Sequence, residues 1–188
     1  MFQVRIHGRG GQGVITAAEL LSIAAFLEGR HAQAWPSFGA ERMGAPVVAY
    51  CRIDDTEIRN REPIVRPDAV IVQDATLLLQ TNVFNGLRPD GYVLANSTGE
   101  LHDMEFEGRR DRVVRVPATD IALRHLGRPI PNAALLGGFA ALTGVVSLSS
   151  VLAAIRERFT SGLANRNAAA ATETYTFVSS ALKESSHA

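Results

Sequence analysis

The residues best placed to do chemistry are in the stretch Gly8-Arg9-Gly10-Gly11-Gln12-Gly13. Gly8, Gly10 and Gly13 have the G-x-G-x-x-G spacing. The first glycine permits a tight turn, the second lets backbone approach a phosphate, and the third lets a helix pack against a strand. The apolar alternation of Phe2-Gln3-Val4-Arg5-Ile6 before the turn reads as a strand, and Val14 to Leu27 after it reads as one helix. Strand, glycine turn and helix form the opening unit of a doubly wound α/β fold. The helix N-terminus would present unpaired N–H groups and partial positive charge to an anion. The alternative is that the glycines serve only a tight connection.

A dinucleotide fold adds an acidic residue about 20 positions on to hold a ribose. Here that region is His31-Ala32-Gln33-Ala34-Trp35-Pro36, without a carboxylate, so plain NAD binding is disfavoured. The only lysine is Lys183, near the C-terminus, which removes P-loop and Schiff-base chemistry. The single cysteine, Cys51, cannot form a disulfide framework or supply the thiolates of an iron–sulfur cluster or structural zinc site. With 19 basic and 19 acidic side chains the net charge is zero, which argues against nucleic-acid binding and favours life inside a larger assembly. No apolar run is long enough to span a membrane, and Met1-Phe2 opens a strand, so a cytoplasmic protein is expected.

The elements that must position the turn follow in order. A second strand, His31 to Trp35, enters a loop from Pro36 to Pro46 that contains Phe38, Gly39, Glu41, Arg42 and Met43. Loops of this kind leaving strand ends concentrate ligand and partner contacts, although a solvated excursion with a Glu–Arg surface pair is an equal alternative. Val47 to Ile53, Ala69 to Gln73, Tyr92 to Asn96 and Val113 to Pro117 read as strands. Asp74 is an N-cap candidate at the edge where α/β sheets put ligands. Leu101 to Asp111 reads as a charged excursion, and Arg109, Arg110, Arg112 and Arg115 as a basic cluster.

Thr119 or Asp120 is expected to cap a helix Ile121–Leu126. Asn132 would cap a small-residue helix from Ala133 to Val145, and Ser147, Ser149 or Ser150 would start another through Phe159. A last helix covers Ser161 to Leu182, with a flexible tail from about 183 to 188. The 188 residues thus form a single α/β domain, a Rossmann-like, mainly parallel sheet flanked by helices with a helical C-terminal part.

Three stretches taken together carry a family resemblance. They are Gly8 to Val14 with Thr16-Ala17-Ala18, Pro36 to Pro46, and Pro131-Asn132 with Leu136-Gly137-Gly138 and Thr143-Gly144. In this order and spacing the chain resembles the gamma subunit of 2-oxoacid:ferredoxin oxidoreductases over roughly residues 2 to 180. It departs at Met43, where members often carry arginine or another polar residue, and its final helix keeps only a rough likeness. The resemblance implies an enzyme that oxidatively cleaves a 2-oxoacid with thiamine diphosphate and magnesium. Electrons pass through [4Fe-4S] clusters to ferredoxin and the acyl group goes to coenzyme A. Thiamine diphosphate and the clusters would sit in alpha, beta and possibly delta subunits. This chain would be catalytically incomplete alone, serving the coenzyme A side and the assembly. Its cofactor-bordering residues would be Gly8, Arg9, Gly10, Gly11, Gln12, Gly13, Phe38, Gly39, Glu41, Arg42 and Asn132, with no metal ligand. A stand-alone nucleotide-binding oxidoreductase and a purely structural subunit are the alternatives.

Overall fold

The computed structural model describes residues 1–37, 43–99 and 111–185. Phe38, Gly39, Glu41, Arg42, Arg109, Arg110 and residues 186–188 of the expected tail lie outside the described residues. Among these residues six strands form one sheet: β1 (Phe2–Arg9), β2 (His31–Pro36), β3 (Pro46–Asp54), β4 (Ala69–Val72), β5 (Tyr92–Asn96) and β6 (Val113–Val116). Their spatial order is β2-β3-β1-β4-β5-β6. The β1–β4, β4–β5 and β5–β6 pairs are parallel, while β3 runs antiparallel to both β1 and β2. The expected α/β class is therefore found, with one modification: the chain returns from β2 through β3, which inserts between β2 and β1.

Among the described residues there are five α-helices: α1 (Val14–Leu27), α2 (Ala118–Leu126), α3 (Asn132–Thr143), α4 (Leu148–Arg158) and α5 (Ser161–Ser185). All five put buried residues into one core against Val4, Ile6, Ala49, Cys51, Ile53, Ile71 and Leu94, the residues of one sheet face. The opposite face buries Val70, Val72 and Ala95 under Leu77 and Val83. It also holds Arg5 and His7, and the Arg5 Nε–H donates to His7 Nε2 at 2.9 Å. Period-two alternation sorts β1 into these two faces.

The small residues of α3 admit a close backbone within the chain itself. A Cβ on Gly137 would collide with the Ala171 carbonyl of α5, and one on Gly138 would meet Thr174 Cγ2 at 2.9 Å. Lone Cys51 is fully buried, and burial pushes its thiol pKa up.

Several boundaries differ from the sequence reading, each for a local reason. Strand β1 continues through Arg9 because Gly8 and Arg9 pair with Val47 and Pro46 of β3. Helix α2 begins at Ala118 with no side-chain cap of its own. Instead Asn96, from the end of β5, accepts the Thr119 N–H at 3.0 Å. Neither Thr119 nor Asp120 is the cap. Asn132 is the first residue of α3 rather than its cap, which is Pro131, and α3 ends at left-handed Gly144. Ser147 caps α4 by accepting the Ser150 N–H. Helix α5 continues through Lys183 to Ser185, into the stretch expected to be flexible.

Among the described residues, no helix is long and apolar enough to cross a membrane.

Candidate functional site

The glycine turn lies where the carboxyl ends of the central parallel strands β1 and β4 meet, the place where open α/β sheets bind ligands. Gly8 belongs to the strand rather than the turn, and its missing side chain matters there. A Cβ would fall 2.5 Å from Val14 Cγ2, so this glycine lets α1 begin directly over the strand. Gly10 closes the turn against the third strand's entry: its N–H donates to Ala45 O at 2.9 Å and its carbonyl accepts from Gly44 N–H at 3.0 Å. The left-handed backbone is at Gly11 (φ 92°) and Gly13 (φ 70°). Gly13 is the N-cap of α1 and offers no side chain, so the first N–H groups of that helix are left without a side-chain cap.

Strand alternation then decides what each polar residue can do. Because β1 runs through Arg9, the Arg9 side chain lies on the face opposite α1. Its Nε sits 3.2 Å from Asp74 Oδ2, and its terminal nitrogens donate to Gly44 O at 3.1 Å, Thr76 Oγ1 at 2.8 Å and Gln80 Oε1 at 3.0 Å. Gln12 completes the network. Its carbonyl oxygen accepts the Arg9 N–H and its amide donates to Asp74 Oδ2, both at 2.8 Å. Asp74 also caps the short 3-10 helix Ala75–Leu79 through Thr76 N–H and Oγ1, as expected. Burial raises the Asp74 pKa. The hydrogen bonds from Thr76 and Gln12, together with the Arg9 charge, outweigh it and hold the carboxyl below its ordinary value. Arg9, Gln12 and Asp74 thus grip the turn from one side of the sheet.

The other side is open. A cleft of about 430 Å³ is lined by Gly11, Gly13 and Thr16 at the start of α1, Arg128, Ile130 and Asn132 at the α2–α3 corner, and Arg158, Arg166 and Asn167 around the α4–α5 corner. The N-terminal turns of α1, α3 and α5 all border it. Asn132, only 4 % exposed, locks the corner to the turn by donating to Gly13 O at 3.3 Å and accepting from Ala133 N–H. Asn167, 3 % exposed, donates one N–H to Leu163 O at 3.0 Å.

Among the described residues neither Arg128 nor Arg166 has an acidic partner, and Arg158 Nε stands 3.9 Å from Glu19 Oε2. Such a site offers main-chain donors and guanidinium forks to an anion.

The sequence reading named the turn and Asn132, which the fold brings together although 119 residues separate Gly13 from Asn132. It missed Arg128, Arg158 and Arg166. One signal was present: Asn165-Arg166-Asn167 puts a cation near a helix N-terminus, where the helix dipole disfavours it. Of the other basic candidates, Arg112 stacks on Tyr92 and Arg115 bonds Gly99 O, away from the turn.

Beside the turn two apolar side chains are unusually open, Met43 at 85 % and Leu79 at 91 % exposure. Met43 also packs on the turn itself, its Cε 2.7 Å from where a Gly11 Cβ would stand.

Comparison with known proteins covers most of the chain. The pyruvate ferredoxin/flavodoxin oxidoreductase family model matches residues 3–177. The chain is 47% identical to pyruvate synthase subunit PorC of Methanothermobacter thermautotrophicus, covering 93% of this chain and 94% of that one. It is 45% identical to the pyruvate/ketoisovalerate oxidoreductases common subunit gamma of Pyrococcus abyssi, covering 93% and 96%. The crystal structure of pyruvate oxidoreductase subunit PORC from Thermotoga maritima superposes with a TM-score of 0.77 at 36% identity, covering 93% of this chain and 95% of that one. The chain accordingly belongs to the pyruvate ferredoxin/flavodoxin oxidoreductase family, as a gamma subunit of a 2-oxoacid:ferredoxin oxidoreductase.

Proposed function

We propose that within this oxidoreductase the chain forms the wall of the coenzyme A path. Gly10, Gly11, Gln12 and the 38–42 loop, with Phe38, Gly39, Glu41 and Arg42, border the acyl acceptor as it approaches the 2-oxoacid centre held by alpha and beta subunits. Thiamine diphosphate, magnesium and [4Fe-4S] clusters are then carried by those partners and by a delta subunit, and reduced ferredoxin leaves through the complex in the cytoplasm. The observation that carries this reading is the uncapped N-terminus of α1 opening on a cleft ringed by donors, with no acid among the cleft-lining residues. Arg9 and Gln12 serve the site by holding the turn in shape through Asp74, and Gly8 and Gly13 by letting α1 start over the strand. Coenzyme A, when bound, supplies the thiol that accepts the acyl group. This chain's residues bind and orient its phosphate-bearing end.

The test uses the assembled enzyme with Gly11→Ala or Arg42→Ala. The expected outcome is a raised KM for coenzyme A with subunit ratio, iron and thiamine diphosphate content retained. An unchanged KM with loss of subunits supports a second reading, a purely structural contact. The open Met43 and Leu79 side chains beside the turn favour that contact.

A further inference from the structure

We infer that Arg128, Arg158 and Arg166 form a phosphate-monoester subsite that selects the acyl acceptor by its terminal phosphate; this rests on the coenzyme A reading above. The three arginines, one at the α2–α3 corner and two around the α4–α5 corner, line one cleft of about 430 Å³, a size suited to a nucleotide.

The chain as a whole is neutral, with 19 basic and 19 acidic side chains. Around this cleft the balance is broken, since Glu19 is the sole carboxylate among the described residues within 4.0 Å of any of the three arginines. Like charges gathered at one mouth, with Glu19 beside Arg158 alone, repel each other, and an anionic occupant relieves that repulsion. Behind them Asn132 and Asn167 are almost fully buried. Each spends one amide N–H on a main-chain carbonyl, and the other has no partner among the described residues.

The division of labour follows from charge. Each phosphate of a diphosphate bridge carries about one negative charge, which main-chain N–H groups and a helix N-terminus accommodate. A phosphate monoester carries about −1.5 to −2 at neutral pH and calls for forked, permanently charged donors. Coenzyme A contains both groups, and dephospho-coenzyme A only the diphosphate. The α1 N-terminus therefore suits the bridge, and the exposed arginine rim suits the monoester.

The experiment compares coenzyme A with dephospho-coenzyme A as acceptor for the assembled oxidoreductase, wild type against Arg128→Gln, Arg166→Gln and the double variant. The expected result is a KM for coenzyme A raised about tenfold per substitution, the scale of one lost charge-assisted hydrogen bond. The KM for dephospho-coenzyme A should move less than twofold. An equal rise for both acceptors overturns the inference, because the arginines then serve the diphosphate or the general field. Unchanged KM values with loss of a partner subunit also overturn it, and assign the arginines to an acidic surface of that subunit. If Gly11→Ala raises both KM values while the arginine variants raise neither, this inference fails and the coenzyme A reading stands. If none of these substitutions moves either KM, both fall.

Discussion

Replacing Gly13 by alanine tests how the turn and the cleft are held together. Gly13 is left-handed at φ 70°, and its Cβ would run into the Asn132 side-chain amide. Left-handed backbone costs a non-glycine residue about 1–2 kcal/mol. Displacing Asn132 breaks its bond to Gly13 O and leaves a buried amide short of a partner, for about 1–3 kcal/mol more. The sum is roughly 2–5 kcal/mol, or a Tm lower by roughly 4–20 °C for a chain of this size.

Gly29 supplies the control. Its φ is 78°, yet nothing lies within 4 Å of its Cβ position, so Gly29→Ala should show the backbone cost alone. A second control removes the obstacle: in an Asn132→Ala background, Gly13→Ala should fall to the Gly29→Ala value. Thermal unfolding of the four variants, followed by circular dichroism, measures each difference. Equal losses for Gly13→Ala and Gly29→Ala, or a Gly13 cost that persists unchanged without Asn132, would refute the proposed lock.

Two further outcomes follow from the buried sheet face and the helix core. Burial, reinforced by the adjacent Arg5 charge, lowers the His7 pKa from 6.5 to about 4, so the folded chain binds fewer protons than the unfolded one between these values. Stability should be full above about pH 6.5 and decline by about 3 kcal/mol as pH falls toward 4. An NMR titration midpoint for His7 near 6.5, or an Nε2–H tautomer in place of the Nε2 acceptor that Arg5 requires, would contradict this. Gly137→Ala should destabilise by about 2–3 kcal/mol, because its methyl would force α3 away from the Ala171 carbonyl. A urea midpoint within error of wild type would show that the α3–α5 contact has slack.

The sequence by itself determined the parts governed by near neighbours. The strand–glycine–helix opening, the buried run Ala69–Val72, the Asp74 cap and the small-residue face of α3 were legible because propensity, period and capping act within a few residues. The family signature likewise lay in contiguous stretches. Tertiary structure alone decided the rest. Pairing with β3 carried β1 through Arg9, and that register turned Arg9 from the helix N-terminus to Asp74 across 65 positions of sequence. A distant residue, Asn96, displaced the expected caps of α2. Three arginines spread over the last third of the chain became one cleft only when α2, α3, α4 and α5 packed against the start of α1. Spacing along a chain encodes local geometry, whereas convergence of distant side chains is set by strand order and helix packing, for which a single sequence carries no periodic signal.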